Sequence, residues 1–165
     1  MSKYVKKGGN VDQDNGISVN GGFVGHFFHA LDPKKRLTIP SEWRERLVGP
    51  PNLYVIPGLG GEKCLYVYPA TEMEPRLAKL QKVGIGDKKA RIFARALASR
   101  SDLVSFDSQG RIRIKDELLD YAALTSQVEL VGLFNHFELW NPEQRKSAGL
   151  VDDATMEDAV RYVDF

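Results

Sequence analysis

Nine residues, Leu31-Asp32-Pro33-Lys34-Lys35-Arg36-Leu37-Thr38-Ile39, are echoed 75 residues later by Phe106-Asp107-Ser108-Gln109-Gly110-Arg111-Ile112-Arg113-Ile114. At the same offset Leu53 and Val55 fall on Val128 and Leu130. After the loop Gly58 to Lys63 the offset drops to 73, and Tyr66-Val67-Tyr68-Pro69 meets Leu139-Trp140-Asn141-Pro142. A repeated supersecondary unit constrains a fold more than any single element does. A unit of about 45 residues is near the size at which a lone core rarely suffices. The two copies are therefore expected to interleave or pack into one pseudo-symmetric body.

Each copy reads as an apolar strand, an Asp-x-x-x-Arg turn, a second strand, a short helical piece and a strand pair ending at Pro. In the turns, Asp32 and Asp107 are suited to accept hydrogen bonds from backbone amides ahead of them, and Pro33 fixes φ at the next position. Gly110 supplies a left-handed backbone where Lys35 stands in the first copy, so matching backbones would strain Lys35. Residues 40–47 and 115–122 carry helical apolar spacing. Between the copies, Thr71 to Glu74 offers a capping box, Gly84-Ile85-Gly86 a break, and Asp87 a cap for a helix with Ile92, Phe93, Ala96 and Leu97 on its apolar side. The expected division is a flexible extension over 1–22, a first domain over 23–70, a helical connector over 71–98, a second domain over 99–142 and a helical tail over 143–165. Thr155 to Val163 is amphipathic, suited to docking on a neighbour or to fraying.

The net charge of +1 conceals a strong polarity along the chain. Residues 1–100 sum to +8 and residues 101–165 to −7. Such asymmetry fits a polyanion-facing surface or complementary surfaces that join subunits. One cysteine, Cys64, excludes an internal disulfide, and a reducing cytoplasmic setting follows. No apolar run reaches the roughly 18 to 20 residues of a membrane helix. His26, His29 and His136 lack metal-ligand spacing, and no nucleophile–base pattern stands out. No metal, no cofactor, no catalytic residue and no small-molecule substrate are therefore expected. Tyr54, Tyr66, Tyr68, Phe134, Phe137 and Trp140 lie in β-like runs and are expected in the core.

The Asp-x-x-x-Arg element carries the chemistry. An Asp and an Arg across a tight turn can simply pair, which at an exposed site is worth about 0–1 kcal/mol. Its recurrence in register favours a functional role: a short loop fixed by Asp presents a planar guanidinium suited to guanine edges or phosphate. Arg36 and Arg111 are the candidate DNA-binding residues, with Lys34, Lys35, Arg113 and Lys115 adding charge for the phosphate backbone. Asp32, Asp107 and Gly110 shape the loops.

These residues resemble the MraZ family of bacterial transcriptional regulators, which is built from two AbrB-like swapped-hairpin domains. The resemblance runs from about Phe23 to Pro142, and its most specific stretches are residues 31–40, 107–112 and 128–140. It implies an α+β fold of two pseudo-symmetric swapped-hairpin β-barrel units with short helices and a helical connector. It further implies a cytoplasmic, nucleoid-associated protein that forms ring-like homo-oligomers. Such a protein binds double-stranded DNA at direct repeats upstream of the division and cell-wall gene cluster, with Arg36 and Arg111 lining the DNA-facing surface. This chain departs from the usual pattern at Lys35, where Gly is common, and at Arg113 and Lys115, where an apolar residue and Pro are common. The alternative from charge alone is an interaction scaffold in which basic and acidic surfaces pair between subunits.

Overall fold

The computed structural model describes residues 21–47, 49, 51–83, 86–149 and 152–165. The first 20 residues of the expected extension and the Gly84-Ile85 part of the expected helix break lie outside them. The first copy supplies β1 (His26–Ala30), β2 (Arg36–Thr38), α1 (Ser41–Arg44), β3 (Asn52–Pro57) and β4 (Leu65–Pro69). Helices α2 (Ala70–Lys82) and α3 (Lys88–Arg100) connect to the second copy. That copy supplies β5 (Asp102–Ser105), β6 (Arg111–Arg113), α4 (Asp116–Tyr121), β7 (Gln127–Gly132) and β8 (Phe137–Trp140), followed by α5 (Pro142–Ala148) and α6 (Asp153–Val163). The fold is mixed α+β, and its strands pair antiparallel throughout.

The copies interleave strand by strand. The larger sheet runs β1-β7-β8-β4-β3-β5, so the first strand of each copy leaves its own unit and pairs with the third strand of the other. The registers match under the repeat: Phe27 faces Leu130, and Asp102 faces Val55. β2 and β6 form a separate two-stranded ribbon in which Leu37 faces Ile112. Period-2 alternation turns Leu37 and Ile112 inward, where both are fully buried. Residues of both copies then share one core, including Phe23, Leu37, Trp43, Leu53, Ile112, Leu118, Leu130 and Phe137. Trp43 anchors it with edge-on contacts to Phe23 and Phe27 and a hydrogen bond from Nε1 to the Val24 carbonyl at 3.1 Å. Neither copy buries this apolar surface alone, which is why the exchange is required.

Several local expectations need correction. The capping box at Thr71 does not form: Pro69, with φ −54° and ψ 145°, turns the chain directly from β4 into α2, and no side chain caps the helix. Thr71 thus lies inside the first turn, and its buried hydroxyl has no hydrogen-bond partner among the described residues. Asp87 does cap α3, accepting from the Ala90 amide at 3.0 Å. Of the expected apolar side of α3, Leu97 packs against the buried cluster that includes Ile56 and Met73, whereas Ile92 and Phe93 are exposed. Phe134 is not in the core either. It occupies a left-handed turn position, with φ 65°, between β7 and β8, and the residue is 64% exposed. Phe137, Trp140 and Tyr66 are buried as expected.

Candidate nucleic-acid interface

The two Asp-x-x-x-Arg loops close the ends of the β2–β6 ribbon with the same bonds. In the first, Asp32 Oδ1 accepts from the amides of Lys34 and Arg36 at 2.9 and 2.8 Å, while Arg36 Nε donates to Oδ2 at 2.6 Å. In the second, Asp107 Oδ1 accepts from Gln109 and Arg111, both at 2.9 Å, and Arg111 Nε donates to Oδ2 at 2.7 Å. The backbone closes each loop again, from Lys35 N to Asp32 O at 2.9 Å and from Gly110 N to Asp107 O at 3.0 Å. Backbone amides donating to the carboxylates, chiefly those of Arg36 and Arg111, hold both Asp32 and Asp107 below the usual carboxylate range.

The loops also engage each other. Ile39 N donates to the Gly110 carbonyl at 3.0 Å and Ile114 N to the Lys35 carbonyl at 3.2 Å. Lys35 adopts φ 60°, the left-handed conformation that Gly110 takes at φ 74°, so the lysine carries the expected strain. Arg111 Nη1 lies 3.9 Å from Asp32 Oδ2, which places its guanidinium between the carboxylates of the two copies.

Alternation along the ribbon sets Arg36, Thr38, Arg111 and Arg113 on the face opposite the core, with Arg36 paired to Arg113 and Thr38 to Arg111. Arg113 is exposed and Arg36 and Arg111 are half-buried, with side-chain exposures of 30% and 22% for the latter two. The hydrogen bonds within each loop engage Nε, while Arg111 Nη1 also faces Asp32 across the ribbon. Lys34 is exposed beside the first loop. Lys35 and Arg113 converge on Asp116, at 2.8 and 3.7 Å, and this pairing lowers the Asp116 pKa. Lys115 donates to the Ser101 carbonyl at 2.8 Å and so braces the chain where α3 ends.

Two participants escaped the sequence reading. Asp116 neutralises part of the basic cluster, and its only signal was its place next to Lys115. Arg44 packs against Gly110 and donates from Nε to the Ile39 carbonyl at 3.0 Å. Its position in a short amphipathic helix gave no hint of that contact. The histidines are partnered: His29 Nδ1 lies 2.6 Å from the Thr38 carbonyl and His26 Nδ1 3.3 Å from Glu129, while His136 stacks on Tyr68 and burial pushes its pKa down to about 4. Cys64 is buried near Glu62 and Glu138, and burial pushes its thiol well above the ordinary range, which disfavours the thiolate needed for metal binding. Among the described residues, no helix is long and apolar enough to cross a membrane.

Comparison with known proteins matches two stretches of the chain, residues 23–96 and 97–146, to the family described as "MraZ protein, putative antitoxin-like". The chain belongs to the MraZ family. The two matched stretches meet at residues 96 and 97, inside α3. Relatives named "Transcriptional regulator MraZ" include one from Clostridium acetobutylicum, 38% identical over 122 residues, 74% of this chain and 83% of the relative. Another, from Thermomicrobium roseum, is 38% identical over 121 residues, 73% of this chain and 82% of the relative. A third, from Natranaerobius thermophilus, is 33% identical over 144 residues, 87% of this chain and 98% of the relative. The MraZ family model ends at residue 146, before α6 begins.

Proposed function

We propose that this chain is a sequence-specific DNA-binding transcriptional regulator that reads double-stranded DNA with the β2–β6 ribbon and its two loops. The observation that carries this reading is the outward face of that ribbon, where three of four positions are arginine. The major groove of B-DNA admits a two-stranded β-ribbon, and an Arg fork suits the O6 and N7 of guanine or a phosphate. Asp32 and Asp107 act as positioning residues: each holds its own loop's guanidinium by Nε, and Asp32 also faces Arg111 Nη1. Lys34 and Arg113 supply phosphate contacts at the flanks. Arg36 is the stronger contributor, since it is the more exposed and Arg111 is shared between two carboxylates.

In this reading the exchanged copies are AbrB-like swapped-hairpin units, and several chains join in a ring-like homo-oligomer in the cytoplasm, on the nucleoid. Direct repeats upstream of a division and cell-wall gene cluster are the expected target. Repeated loops on one face would multiply weak contacts, because linked sites raise effective concentration. The test is gel-shift binding to the gene's own upstream region, intact and with its direct repeats scrambled. Preference for the intact repeats is expected, and equal binding to both would overturn sequence-specific regulation.

A second reading rests on the 22% and 30% side-chain exposure of the two arginines and their Asp pairs. In it they are structural clamps of the loops. Arg36→Ala with Arg111→Ala separates the two readings: a clamp role lowers stability with DNA binding intact, whereas the reading role lowers DNA affinity in a chain that still folds.

A further inference from the structure

Helix α6 has a sided sequence and no seat. Met156, Ala159, Val160 and Val163 fall at i, i+3, i+4 and i+7, which places them in one apolar stripe. Every residue from Asp152 to Phe165 is exposed, including Met156 at 55% and Val163 at 63%. The same segment carries five acidic residues, Asp152, Asp153, Glu157, Asp158 and Asp164, against one cation, Arg161.

At the far side of the sheet lies its chemical complement. Helices α2 and α3 flank an apolar groove of about 430 Å³ over β3 and β5, walled by Ile56, Met73, Leu77, Leu80, Leu97 and Leu103. Leu103 is 53% exposed at this groove, and Phe93, 44% exposed, stands one turn before Leu97. Helix α3 has five cations, Lys88, Lys89, Arg91, Arg95 and Arg100, and no acidic residue. An amphipathic helix laid in an apolar groove and anchored at i, i+3, i+4 and i+7 is a recurrent recognition mode. Asp102 is the charged residue in the groove lining, but helix α3 beside it and helix α6 carry opposite charge, which orients the encounter and disfavours basic occupants.

We propose that α6 of one copy seats its Met156–Val163 stripe in the α2–α3 groove of a second copy. Its acidic flank then lies against the basic face of α3. A second copy is the occupant because the helix's own chain leaves it exposed from end to end. Only residues 149–152 tie α6 to α5, whose contacts are with β7, and β7 lies three strands from β3 in the sheet. Crossing that interval takes about 14 Å at the usual strand spacing, most of the roughly 17 Å that the five extended steps from Ala148 to Asp153 can span. The groove lies within the stretches matched to the MraZ family and α6 beyond them, and the contact is independent of how the ribbon meets DNA.

The test uses two differently tagged forms of the full chain, one with Val160→Cys and one with Gln81→Cys at the exposed rim of the groove, joined by a short bifunctional maleimide. Cross-linked pairs bearing both tags are expected, and adding Met156→Asp and Val163→Asp to the first form should cut their yield about tenfold or more. Reversal of α3 charges (Lys88→Glu with Arg95→Glu) should lower the yield as well, and reversal on α6 (Asp153→Lys with Glu157→Lys) should restore it. Linkage that forms only within a doubly substituted single chain, unaffected by dilution, would overturn the proposal in favour of the chain's own groove. Absence of linkage while both cysteines react singly would overturn it outright.

Discussion

The two Asp-x-x-x-Arg loops share a backbone and differ in what leans against it. In the loop at Gly110, the space a side chain would need is taken by Arg44: a Cβ there would sit 2.3 Å from Arg44 Cζ. In the loop at Lys35, a side chain is present and reaches Asp116 at 2.8 Å. Applying the 75-residue offset, the counterpart of Arg44 is Leu119, which is buried in the core, and the counterpart of Asp116 is Ser41. The copies have thus diverged in pairs across the pseudo-dyad, glycine with a covering arginine and lysine with an acidic partner. The hydrogen-bond skeleton set by Asp and Arg stayed fixed while the surface above it changed.

The largest effect expected from this comparison is at Gly110. Gly110→Lys brings a side chain to a left-handed position at a cost of about 1–2 kcal/mol, and it must also displace Arg44. A fall in Tm of roughly 2–8 °C should follow in a chain of this length, before the displacement of Arg44 is added. Adding Arg44→Leu copies the arrangement around Lys35 and should recover part of that loss, as a double-mutant cycle by thermal melts would read. Full additivity of the two changes would break the paired-divergence account.

A smaller effect is expected in acid. Both loop carboxyls have folded-state pKa values below their unfolded ones, so their contribution to stability is complete above the ordinary carboxylate range and is lost as pH falls through the depressed values. Melts across the acid range should show a shallower decline for Asp32→Asn and for Asp107→Asn than for the parent, by similar amounts. Unequal slopes would show that the loops are not equivalent in their carboxylate bonding.

The smallest effect belongs to Lys35→Gly. Relief of the strain at φ 60° is offset by the added chain entropy of glycine and by loss of an exposed ion pair, so stability should stay within about 1 kcal/mol of the parent by denaturant unfolding. A larger loss would mean that the Lys35–Asp116 pair is a substantial part of the first loop.

The repeat, the two turns and the need for both copies to share one body were legible in the sequence because they follow from local rules: Asp ahead of free amides, period-2 alternation, and units too small to fold alone. Those rules do not decide whether the copies interleave or only pack. The left-handed strain at Lys35 was legible for the same reason. Less could be read where tertiary contact overrules propensity. A Ser/Thr capping signal at Thr71 was pre-empted by Pro69 one residue before the helix, and the apolar stripe of α3 says nothing about whether a partner covers Ile92 and Phe93. Asp116 and Arg44 became part of the loops only through strand exchange, which joins residues far apart in the chain. The polarity of +8 against −7 was visible, yet its sharpest expression is local, in the basic helix α3 and the acidic segment around α6.

If the paired loops act together on DNA, the salt dependence of binding reports it. Affinity for the upstream repeats should be measured over a series of salt concentrations for the parent, Arg36→Ala, Arg111→Ala and the double variant. Each arginine that contacts phosphate should lower the slope of log affinity against log salt by about one when removed. Lower affinity and a flatter slope are expected for both single variants, with a larger loss for Arg36→Ala and the greatest loss for the double. A folded double variant with the parent's affinity and slope would contradict a joint role of the loops on DNA.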